Sequence, residues 1–178
     1  PLLMRMKGPA RPVPVIEDVA VPPEVLPEFL TRLQLIFKHY DVSWTLDAQA
    51  GVGRLQARPF LDMTDPRDVS KLEPLATRVY DAAFEFGGTI ASGSGCGLVR
   101  TQFLKRQYGE LVQVFREIKD AFDPLNILNP GKVIGDDPHL MARDLRRYPR
   151  PEETPEPEPE VEAVEPPALP ILRWAEPG

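Results

Sequence analysis

Cysteine is nearly absent from this 178-residue chain: Cys96 stands alone. No disulfide can form within the chain, and no cysteine-ligated cluster can be built by it alone. One free thiol fits a reducing compartment. Histidine is almost as scarce, with only His39 and His139. A metal site draws three or more convergent ligands, so these two, far apart in sequence, read as surface or helix-end residues. No apolar run approaches the roughly 20 residues that cross a bilayer. No basic-apolar leader is present, no internal repeat is visible, and no basic stripe suggests nucleic acid. These absences point to a cytoplasmic protein. The chain opens on Pro1 rather than methionine, which reads as a piece of a longer protein.

Proline is abundant, with 22 residues, and it is unevenly placed. Pro151 to Pro167 holds six prolines and seven glutamates with no lysine or arginine. Such a stretch has too little apolar surface to offset its ordering entropy, so residues 151–178 read as a disordered Pro/Glu-rich linker. The short apolar island Leu169 to Trp174 lies within it. The net charge of -6 belongs to this tail. Eight of the 27 acidic residues but only one of the 21 basic residues follow residue 150. Residues 1–150 therefore carry 20 basic and 19 acidic side chains, close to neutrality. A hydrophobic content of 42% is ordinary for a globular domain.

Periodicity gives the element order. Pro12 to Val19 reads as a strand whose prolines confine them to its start or to an edge. From Glu24 to Tyr40, Val25, Leu26, Phe29, Leu30, Leu33, Ile36 and Phe37 recur at helical spacing. Val42 to Leu46 and Arg54 to Leu61 read as a hairpin across the turn Ala50-Gly51-Val52-Gly53. A second helix is expected from Pro66 to Phe86, ended by Gly87-Gly88. Thr89 to Ser92 reads as a short strand leading into Gly93-Ser94-Gly95-Cys96-Gly97. A last helical region is strongest from Glu110 to Phe122, with Leu111, Val114, Phe115 and Ile118 on one side, and Asp123-Pro124 ends it. The expected fold is α+β, a ferredoxin-like split β-α-β-β-α-β arrangement followed by C-terminal helices and the acidic tail. Residues 10–135 form the domain and 136–150 a polar connector.

Two turns carry the chemistry. A glycine-rich strand-to-helix loop can bring backbone N–H groups close to a phosphate or a cofactor ring. Gly93-x-Gly95-x-Gly97 is nevertheless neither the dinucleotide fingerprint nor a P-loop, and Ser94 is not in a nucleophile elbow. A tight turn is the plain alternative. Asn129-Pro130-Gly131 is likewise turn chemistry.

Taken in order, these segments resemble the C-terminal domain of FAD-linked oxidases of the vanillyl-alcohol oxidase/p-cresol methylhydroxylase superfamily, which includes D-lactate dehydrogenase and glycolate oxidase subunits. The likeness rests on Pro14-Val-Ile-Glu-Asp-Val-Ala-Val-Pro22, Leu55-Gln-Ala-Arg-Pro59, Gly95-Cys-Gly-Leu-Val-Arg100 and the closing run Ile118 to Val133. It implies a cap domain that helps shape the substrate pocket of an FAD-dependent oxidoreductase acting on a small 2-hydroxy acid. FAD would be held mainly by an N-terminal domain with no trace in these residues. The fragment alone would be inactive. Asn129, Lys132, Gly95 and Gly97 are the implied cofactor contacts, and Arg58, Arg100 and Ser94 the implied catalytic or carboxylate-gripping residues. The resemblance also implies a metal and base site, yet its positions hold Gln49, Gln56 and Gly93 with Ser94. Neutral glutamine is a poor ligand and glycine none, so no metal is expected. A non-catalytic cap subunit or scaffold is the alternative reading. Some related proteins continue into an iron-sulfur domain, a further expected partner that could hold the protein at the inner membrane.

Overall fold

Pro27 has no amide to donate and suits the first turn of a helix. The long helix of the N-terminal half accordingly begins at Leu26, after a 3-10 turn at Pro23–Val25, and runs as α1, Leu26–His39. The structure is a computed structural model that describes residues 8–143 and Leu145. The acidic tail, with its apolar island, lies outside the described residues. Phe29, Leu33 and Phe37 recur on the face of α1 that is driven inward. The opposing helix does the same with Leu72, Leu75, Ala76, Val79, Tyr80 and Ala83.

The expected Pro66–Phe86 helix is two helices, α2 (Pro66–Val69) and α3 (Leu72–Glu85). Asp65 caps α2 by accepting from the Arg67 amide, and the Ser70 hydroxyl donates to the Arg67 carbonyl. Such local side-chain bonds compete with a continuous helix. Gly87 follows α3 with φ of 71°, the left-handed end that its sequence announces.

The hairpin forms as expected, with its first arm shifted toward the turn from the expected Val42–Leu46: β3 is Trp44–Gln49 and β4 is Arg54–Leu61. On the other edge of β4 lie β1 (Arg11–Pro12) and β2 (Ile16–Ala20), both antiparallel to it. The single strand expected over 12–19 is therefore interrupted, with a turn at Pro14-Val15. Beyond β2, the segment expected as a strand over 89–92 pairs only through Thr89 and Ala20, which exchange both backbone bonds. Side chains claim much of the rest of its backbone, although the Ser92 amide donates to the Asp18 carbonyl at 3.2 Å. The Ile90 amide donates to Gln107, the Ile90 carbonyl accepts from Arg100, and Ser92 and Ser94 turn to Asp18. A ladder needs those groups. The molecule is a mixed α+β domain with α1 and α3 on one face of the sheet.

Two more helices follow, α4 (Gly97–Tyr108) and α5 (Leu111–Phe122). The short α6, Leu140–Arg143, falls in the segment read as a connector, yet its Leu140 and Met141 are buried. Among the described residues no helix is long and apolar enough to cross a membrane.

Candidate functional site

A strand alternates its side chains between two faces. In β4, Leu55, Ala57, Pro59 and Leu61 are buried, while Arg54, Gln56, Arg58 and Phe60 point to the other, open face. The register sets Gln49 opposite Arg54, Asp47 opposite Gln56 and Thr45 opposite Arg58. Directly opposed residues share a face. Gln49 and Gln56, expected from sequence to stand at one site, are thus on the same open face.

β2 delivers two carboxylates to that face through a bulge. Ile16 pairs with Ala57 and Val19 with Leu55, so β2 carries one extra residue across this interval. A bulge re-aims side chains that strict alternation would separate. Glu17 and Asp18 pair with Arg58 and Arg54 respectively, at 2.6 and 2.7 Å. Asp18 is the distorted residue, with φ of 65°, a conformation that aspartate tolerates better than most.

Asp18 is also almost completely buried. Its carboxylate accepts from the amides of Gly93 (3.0 Å) and Ser94 (2.7 Å), the hydroxyls of Ser92 (2.9 Å) and Ser94 (3.0 Å), and the Arg100 guanidinium (3.1 Å). Burial by itself pushes the Asp18 carboxyl up. The Ser94 and Gly93 amides, the Ser92 hydroxyl and Arg100 outweigh it and hold the group well below the usual carboxylate range.

The carboxylate-gripping candidates now separate. Arg100 is buried and donates to the carbonyls of Glu17, Ile90 and Gly95, to the Ser94 hydroxyl and to Asp18. It is a clamp on the glycine loop. Arg58 lies on the open face, held by Glu17 and by Gln56 Oε1 at 3.0 Å. Ser94 is committed to Asp18 and Arg100 and has no histidine beside it. Sequence reasoning passed over Arg54. The available signal was its place just after Gly53, whose φ is 64° and where a Cβ would lie 1.8 Å from the Val21 carbonyl oxygen. Only glycine lets β4 begin so close to the β2 end.

A divalent metal does not fit the implied positions. They offer two neutral amides and a glycine, and a Cβ on Gly93 would lie 2.9 Å from the Arg54 guanidinium. Among the described residues no three His, Cys, Asp or Glu side chains group as a metal site. Of the two histidines, His39 packs edge-on against Tyr40, and His139 meets Glu73 at 3.2 Å.

The four implied cofactor contacts, by contrast, come together. Gly95, Gly97, Asn129 and Lys132 line one open cavity of about 570 Å³, with Ile118 and Leu128 among its apolar walls. Lys132 Nζ donates to Asn129 Oδ1 at 2.9 Å. Asp123 holds the loop before them: it pairs with Lys119 and accepts from the amides of Ile127 and Leu128. Asn126 and Asn129 take positive φ, as asparagine can. An apolar wall with a few exposed donors fits the edge of a flat, polar-rimmed ring. A second hollow of about 510 Å³ lies on the outer side of α1 and α3 and shares no residue with this region.

Comparison with known proteins identifies the family. The family described as FAD linked oxidases, C-terminal domain, matches residues 1–133. A D-2-hydroxyglutarate dehydrogenase of Pseudomonas putida is 35% identical over 132 residues, 74% of this chain and 13% of that protein. The glycolate oxidase subunit GlcD of Bacillus subtilis is 30% identical over 138 residues, 77% of this chain and 28% of its own length. A D-lactate dehydrogenase of Archaeoglobus fulgidus is 30% identical over 131 residues, 74% and 29% respectively. The chain thus spans between 13% and 29% of the length of these relatives. It belongs to the FAD-linked oxidase family, as its C-terminal domain.

Proposed function

We propose that this C-terminal domain of an FAD-linked oxidase supplies the substrate-facing wall of a larger oxidoreductase that oxidises a small 2-hydroxy acid. The observation that carries the reading is the pairing of two surfaces. A polar sheet face bearing Arg54 and Arg58 accompanies a cavity in which Gly95, Gly97, Asn129 and Lys132 converge. FAD, held mainly by the part of the protein outside these residues, would accept the hydride from the hydroxyl-bearing carbon. This chain's share is to bind and orient. Lys132 places positive charge, and Asn129 an amide, beside the flavin or an anionic substrate. Arg58 presents a planar fork suited to a carboxylate.

The strand order β3-β4-β2 with Thr89 beyond supports a ferredoxin-like split arrangement whose fourth strand is reduced to one bridge. The 13–29% coverage of relatives supports a separate FAD-binding domain. The apolar residues of α5 and its following loop, Ile118, Phe122, Leu125 and Ile127, are exposed and suit contact with it. An iron-sulfur domain is the proposed onward electron acceptor.

One observation favours the second reading, a non-catalytic cap. Gln49 and Gln56 are neutral and the Ser94 hydroxyl is engaged, so none of the three is an evident proton acceptor. The visible spectrum of the complete protein separates the two readings, recorded anaerobically before and after D-2-hydroxyglutarate, D-lactate or glycolate is added. Bleaching of bound flavin by any of them establishes the oxidoreductase. A protein that binds no flavin leaves the cap.

A further inference from the structure

Arg54 is the least satisfied cation of the open face. Its Nε is buried and has no hydrogen-bond partner. Leaving a buried donor unmade is costly, and the guanidinium holds this position nonetheless. Among the described residues its ionic partner is Asp18, through Oδ1. Asp18 is shared: Arg100 occupies its other oxygen at 3.1 Å. One carboxylate therefore faces two guanidinium groups, an excess of one positive charge. The neighbouring Arg58 shows no such excess, because Glu17 engages its Nε and one terminal nitrogen. Asp47 stands opposite Gln56 on the same face and forms no ion pair with Arg54.

Gly93 makes the room. A side chain there would meet the Arg54 guanidinium at 2.9 to 3.2 Å, and that guanidinium is anchored by Asp18. Removing the side chain at 93 and fixing the cation over it leave a positioned, partly exposed fork on the open face.

We infer that Arg54, anchored by Asp18 and seated over Gly93, is an anion-binding site for a carboxylate. The part-exposed terminal end of its guanidinium takes the carboxylate oxygens. That this carboxylate is the substrate's rests on the function proposed above. A built-in cation then does in this chain what neutral Gln49 and Gln56 cannot do through a metal.

The test is calorimetric titration of the complete protein with oxalate, a small carboxylate that carries no oxidisable hydroxyl, beside anaerobic flavin reduction in the same samples. Arg54→Gln is expected to weaken oxalate binding about tenfold or more, the scale of a lost charge-assisted bond. Arg54→Lys keeps the charge that Asp18 faces and should fall between, since it loses the fork. Gly93→Ala should also weaken binding by displacing the guanidinium, while Arg32→Gln, in the hollow on the outer side of α1 and α3, should leave it within about twofold. Unchanged oxalate binding in both Arg54 variants, or none in the unaltered protein, overturns the site, and flavin bleaching by a 2-hydroxy acid would still leave the proposed function standing. Arg54-dependent oxalate binding in a protein whose flavin no 2-hydroxy acid reduces upholds the site and sinks the function.

Discussion

Asp18 joins the strand, the glycine loop and two arginines, and its chemistry makes it separable from its shape. Asn at 18 tolerates the positive φ as well as Asp does, so Asp18→Asn removes charge and leaves the backbone preference alone. Breaking a buried pair by removing one partner costs about 3–5 kcal/mol. A denaturant titration should register about 3 kcal/mol for this variant, because Arg54 keeps some access to water. The folded-state pKa of Asp18 is depressed. Its contribution is therefore fully present above the unfolded value of about 3.9 and is lost as pH falls below that toward the folded value. Unfolding curves taken across the acid range should show a steep limb below about pH 4 that Asp18→Asn flattens. A smaller effect is expected at Tyr80, whose buried hydroxyl donates to the Val15 carbonyl at 2.8 Å. Tyr80→Phe leaves that acceptor unpaired and should cost about 1–2 kcal/mol in the same titration.

The hairpin depends on the close approach of Gly53 to the Val21 carbonyl. Gly53→Ala sets a Cβ against the Val21 carbonyl and forces positive φ on an L-residue. It should cost more than about 1 kcal/mol and loosen Arg54 with it; thermal melts showing no loss would mean the β2–β4 approach is not so tight. This element was legible in sequence because alternation and turn glycines are local signals. The helices α1 and α3 were legible for the same reason. The bulge was not: nothing in Ile16-Glu17-Asp18-Val19 announces one extra residue, which only the pairing with Ala57 and Leu55 reveals. The reduced strand at Thr89 failed for a related reason. Its amides went to Gln107 and Asp18, distant partners that no window contains. The proposed cofactor contacts came from resemblance, and the cavity that gathers Gly95, Gly97, Asn129 and Lys132 is a product of the fold. The apolar side of α5 was read correctly as a stripe, but the structure leaves it uncovered.

For the whole molecule that uncovered stripe is the chief consequence. Phe122 is 85% exposed and Ile118 53%, so replacing either by Asp should change this domain's own stability by no more than about 0.5 kcal/mol. In the complete protein the same change should lower flavin retention through purification, read as the ratio of visible to protein absorbance. Full retention would assign the stripe to some other contact. The central claim is that a flavin oxidoreductase works here without the metal its ligand positions have lost. It is tested most directly by the rate of anaerobic flavin reduction by D-2-hydroxyglutarate, D-lactate or glycolate in the complete protein, before and after exhaustive treatment with a chelator. Bleaching by at least one of these acids is expected, at a rate the chelator leaves unchanged. Bleaching that vanishes with the chelator and returns with added divalent cation, or no bleaching by any of the three, would contradict it.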